Sequence, residues 1–181
     1  MDNANRENRL LFCALAVFFF VFLESTLFFQ ANLAQPGGHS PFFSQFPIQG
    51  ASTLGLLAFP LKNRLVREKG RPAFMGAVTV LGVASLVGVV FASSPLVIAC
   101  TGAVGFFLIG LAGATVYWAT CVRSRSIARF ATLIGGSHAL GVLAQIPLLE
   151  FNSIHLVEAV VLSASIFALG VINARIWPPR S

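Results

Sequence analysis

Glu24 stands in the run FVFLESTLFF, the one charged residue in a stretch that carries no other charge between Arg9 and Lys62. A carboxyl group in such surroundings can exchange a proton, pair with a cation, or hydrogen-bond a neighbouring helix in its neutral form. Gln49, His138 and Gln145 interrupt other apolar runs. An imidazole near a carboxyl can pass protons, and an amide can orient either one. Proton-coupled transport, or the binding of a cationic solute, is the chemistry that these residue types suggest together.

The elements that must position them are membrane helices. The chain of 181 residues is 56% hydrophobic and only 10% charged, and its mean hydropathy is +0.84, values far outside those of soluble domains. Charges fall into clusters, and the uncharged stretches between them divide into segments of about 20 residues, enough to cross about 30 Å of hydrocarbon. An all-α bundle of six transmembrane helices follows, at 10–31, 42–61, 73–92, 96–118, 130–149 and 156–174, forming one domain over 1–181. Ser93, Ser94 and Pro95 supply the turn that splits the long run after Pro72.

Positive charge orients such a chain, because loops rich in Lys and Arg stay cytoplasmic. With six crossings, all 12 basic residues fall on one side, while His39, Glu150, His155 and Glu158 fall on the other. Both termini are therefore expected in the cytoplasm, and the protein in the cell membrane, with a bacterial cytoplasmic membrane as the setting. The net charge of +6 then belongs to short loops facing anionic lipid, and no soluble portion exists to hold nucleic acid. Arg6 and Arg9 before an apolar run resemble the start of a signal peptide, but the run continues past Glu24 without a small-x-small cleavage site.

Other chemistry lacks its parts. Cys13, Cys100 and Cys121 have neither C-x-x-C nor zinc-finger spacing, and the histidines are scattered, so no metal or cofactor is expected. There is no phosphate-binding G-x-x-x-x-G-K-[ST], no G-x-S-x-G and no H-E-x-x-H, so the expected answer to whether this is an enzyme is no.

Helical faces sort the remaining polar residues. Gln45, Gln49, Ser52 and Thr53 follow a helical stripe on the second helix, and His138, Gly141 and Gln145 follow one on the fifth. The third helix holds only Thr79 and Ser85 in an apolar body and can face lipid. Gly102, Gly105, Gly110 and Gly113 on the fourth helix, with Gly135, Gly136 and Gly141 on the fifth, allow close backbone approach. At about 1.5 Å per residue, Glu24 lies ~22 Å from Arg9, Gln49 ~20 Å from Lys62, Gln145 ~24 Å from Arg129 and His138 ~14 Å from Arg129. Three of these share a level.

The loop after the second helix, LKNRLVREKGRPAF, resembles the signature of the major facilitator superfamily, G-x-L-A-D-R-x-G-R-R. Leu65, Gly70 and Arg71 match; Asn63 replaces the first glycine, Arg67 the acidic residue, Glu68 the following arginine and Pro72 the last basic residue. In that family each half has six helices with cytoplasmic ends, and the signature follows the second helix, as here. The resemblance implies that the first and fourth helices line a central cavity, the second and fifth face the other half, and the third and sixth lie outside. It makes Glu24 a cavity residue and adds Tyr117, near the inner end of the fourth helix.

The chain corresponds to the N-terminal half of such a transporter, and alternating access needs two halves rocking about a shared site. The expectation is a contributor to solute transport, either as a fragment or as a subunit beside a second half or a second copy. Its expected partners are the lipid bilayer and a small-molecule solute whose identity the sequence leaves open. Glu24, Gln49, His138, Gln145 and Tyr117 are expected to border the solute path. Two alternatives stand beside it: a facilitator-like membrane sensor whose helix-turn-helix domain is absent from the chain, and a non-transporting accessory protein.

Overall fold

A computed structural model describes residues 2–34, 44–124, 126–150 and 155–177. The secondary structure of these residues is entirely helical. Helix α1 runs Asp2–Ala34. A π-helical turn, Phe46–Ala51, leads into α2 (Ser52–Leu57) and α3 (Phe59–Leu65). After a 3-10 turn at Glu68–Gly70 come α4 (Arg71–Phe91) and α5 (Pro95–Arg123). The chain continues as α6 (Ile127–Leu143), α7 (Ile146–Glu150) and α8 (His155–Ile176).

Five helices among the described residues are long and apolar enough to cross a bilayer. This is a multi-pass membrane protein. The expected second crossing is helical from Phe46 onward but is built from three pieces, and residues 42 and 43 lie outside the described residues. Prolines account for the interruptions. Pro47 and Pro60 each lack the N–H that would bond one turn back, and the ladder re-registers as a π turn at the first and as a break at Ala58 before the second. Pro147 acts likewise on the fifth segment, where α6 stops at Leu143 and the chain turns through Ala144 and Gln145. Helices α1 and α5 run beyond their expected ends into charged or polar sequence, because the backbone ladder does not need an apolar environment.

Helix α1 is the hub. It packs against α5, α6 and α8, while α5 also packs against α4 and the second helical segment. The second segment is held chiefly by α5, and α6 chiefly by α1. Leu11, Leu15, Phe18, Val21, Phe28 and Phe29 of α1 are buried in the core. Helix α4 turns Thr79 and Ser85 inward and exposes Val80, Leu81, Val87 and Val90, an apolar outer face suited to lipid.

Glycine sets the tightest crossing. A Cβ on Gly110 would collide with the carbonyl oxygen of Ser52, and one on Gly55 with that of Phe107. The second segment and α5 therefore touch backbone to backbone, as small residues allow in membranes. Several hydroxyls bond within their own helices: Thr26 donates to Phe22 O at 2.8 Å, Thr79 to Met75 O at 2.8 Å and Thr120 to Val116 O at 2.8 Å, while Ser85 and Ser137 donate across to other helices. Such bonds keep polar groups paired where no water competes.

Candidate functional site

Glu24 lies in the middle of the apolar body of α1 and is only 3% exposed. Its Oε2 accepts a hydrogen bond of 2.9 Å from Nε2 of Gln145, which is also buried. The break before Pro147 puts Gln145 in a turn, where its backbone N–H bonds to Val142 O at 3.1 Å and its amide reaches α1. The two side chains share a level, as counting residues from the basic loops implies.

Glu158 completes the cluster. It occupies the first turn of α8 and is 4% exposed, and its carboxyl lies beside that of Glu24. Carboxylates only accept, so two such groups can bond each other directly only when one of them carries a proton. The second oxygen, Oε2 of Glu158, has no protein partner among the described residues. The arrangement brings three helical segments together around two buried carboxyls and an amide. Charge counting assigned Glu158 to the loop side of the bilayer. The overlooked signal was its place within the first turn of the last apolar run, where an inward face is available.

The other expected path residues sit elsewhere. His138 is exposed on α6, with its ring edge-on to Phe19 at 4.9 Å. Phe19 in turn meets Tyr117 at 6.1 Å, and Phe18 meets Tyr117 at 5.6 Å. An aromatic line thus links α6, α1 and α5. Tyr117 also borders an open groove of about 640 Å³ between the second segment and α5, lined by Leu56, Phe59, Pro60, Trp118 and Cys121 among others.

Gln49 touches neither group. The stripe expected on the second helix divides: Gln45, Gln49 and Thr53 are exposed, while Ser52 is buried against α5 and donates to Ile48 O. The structure therefore unites Glu24 with Gln145, relates His138 to Tyr117 through Phe19, and leaves Gln49 on an outer face. In the signature loop Leu65 is exposed and Arg71 is buried, 3.8 Å from Glu68. Among the described residues no group of three or more His, Cys, Asp or Glu side chains converges as a metal site would require.

No family model, no curated protein and no solved structure matches this chain.

Proposed function

We propose that the chain is one six-helix half of a facilitator-like secondary transporter, with both termini cytoplasmic, acting on a small-molecule solute together with a second half. That half is either a further part of a longer chain or another subunit, including a second copy. The observation that carries this reading is the outward polar surface of the two helices that have fewest neighbours. Gln45, Gln49 and Thr53 on the second segment and His138 on α6 are exposed, and those helices are held chiefly by α5 and α1 respectively. An unpaired amide facing hydrocarbon costs about 2–7 kcal/mol, so a protein surface or a water-filled path covers these groups. The packing order also agrees with the arrangement that the facilitator resemblance implies, in which the second and fifth helices meet the partner half.

Within that reading, a proton exchanged at the Glu24 and Glu158 pair is the coupling element, and α1 carries its state to the face bearing Phe19 and Tyr117. A photo-crosslinking residue at position 49 tests the assignment in native membranes. Adducts to a second helical bundle support it; adducts to lipid alone, as at the lipid-facing Val80, contradict it. A second reading, a membrane sensor, is favoured by the burial of the carboxyl pair, since a closed pair can answer to protons without any solute path.

A further inference from the structure

At the basic end of the bundle, Trp177 follows α8 and is buried, 5% exposed. Its Nε1 donates to Asn63 Oδ1 at 2.9 Å, and its ring meets Phe74 edge-on at 6.0 Å. Two cations lie against the same indole: Lys62 Nζ at 4.4 Å from the ring centre and the Arg71 guanidinium carbon at 5.1 Å. Arg123 of α5 holds the helix end that carries the indole, donating from Nη1 to Ile176 O at 3.2 Å.

Lys62 is the unusual member. It is 5% exposed, and among the described residues no carboxylate pairs with it. Its ammonium donates to Leu111 O at 3.0 Å and to Thr115 Oγ1, and it lies 4.8 Å from the Phe59 ring. Burial, and then the Arg71 charge beside it, push its pKa down to about 7, and the charge that it carries, without a counter-ion, needs its donors used and an electron-rich face nearby. Like charges at Lys62 and Arg71 repel each other, and the indole that both approach offers each an electron-rich face.

We propose that Trp177 is a strap that fastens the Lys62 to Arg71 loop to the end of the last helix through its π face, and that releasing it uncovers Lys62. The loop that follows the second helix is then tied within its own bundle, so that loop and the last helix move as one body at the basic end. This inference does not rest on the transporter reading, since every contact in it lies within the chain.

The chain contains two lysines, and exposed Lys69 in the same loop is an internal standard for Lys62. Open native membranes are labelled with a small amine reagent, and the Lys62 to Lys69 labelling ratio is read by mass spectrometry. The ratio in the wild type should be about a tenth or less, the factor held by each ~1.4 kcal/mol of closure. Trp177→Leu, which keeps apolar bulk but loses both the π face and the indole N–H, should raise it about tenfold, and Trp177→Phe, which keeps a π face but loses the bond to Asn63, should raise it only about threefold. Equal labelling of both lysines in the wild type, or an unchanged ratio in Trp177→Leu, overturns the strap. If Trp177→Leu does not accumulate, Asn63→Ala replaces it, with an expected rise of about threefold from the lost indole hydrogen bond; no rise would count against the proposal equally.

Discussion

Gln145 donates its side-chain amide to the Glu24 carboxyl across 2.9 Å, and neither group is open to solvent. The bond spans from the middle of α1 to the turn that ends α6. It gives a buried membrane carboxyl a neutral donor rather than a cation.

Replacement of Glu24 separates structure from function. Glu24→Gln preserves an acceptor for Gln145, so thermal unfolding in detergent should shift little, by less than about 1 kcal/mol. Glu24→Ala strands the buried Gln145 amide and should cost about 1–3 kcal/mol. In the complete assembly Glu24→Gln should abolish proton-linked uptake. Unchanged uptake would remove the residue from the mechanism.

Glu24 and Glu158 should behave as one unit. Glu24→Gln and Glu158→Gln each alter the same contact between buried side chains, so the double variant should differ from the two single changes added together. The expected coupling is about 0.5–3 kcal/mol, as for residues in direct contact. A double-mutant cycle on unfolding midpoints measures it, and strict additivity would show the two carboxyls to be independent.

Glycine substitutions should sort by what lies opposite them. Gly110→Ala drives a methyl into the Ser52 backbone, and Gly55→Ala into that of Phe107. Each should destabilise by about 1–3 kcal/mol, because backbone cannot step aside as a side chain can. Gly135 has open space around its would-be Cβ, so Gly135→Ala should be neutral or stabilise by up to about 1 kcal/mol. Comparing their unfolding midpoints tests whether the helix crossing is as tight as described.

Much of the helical architecture was legible because charge and hydropathy mark membrane segments directly. The turn at Ser93, Ser94 and Pro95 and the apolar outer face of α4 were both readable. The second segment was read less well. Pro47 and Pro60 sit in a run whose composition suits a single crossing, and composition carries no account of missing N–H groups. The π turn then shifts the register, which is why Ser52 leaves the stripe that Gln45, Gln49 and Thr53 keep. At the site, depth put Glu24, Gln49 and Gln145 at one level, and packing brings only Glu24 and Gln145 together. Glu158 was missed because a residue near a helix start can face either loop or bundle, and only packing decides. The Lys62 and Trp177 contact joins positions 114 residues apart, with the indole bonded to the neighbour of Lys62. No local pattern announces it.

The central claim is that the polar faces of the second segment and α6 are covered by a second helical bundle. Spin labels at positions 49 and 138, with a third at lipid-facing position 80, in a variant whose exposed Cys13, Cys100 and Cys121 are replaced by Ser, test it most directly in native membranes. Labels at 49 and 138 should be shielded from membrane-dissolved oxygen, while the label at 80 is relaxed strongly by it. Oxygen accessibility at 49 and 138 equal to that at 80 would mean that both faces meet lipid, and the half-transporter account would fail.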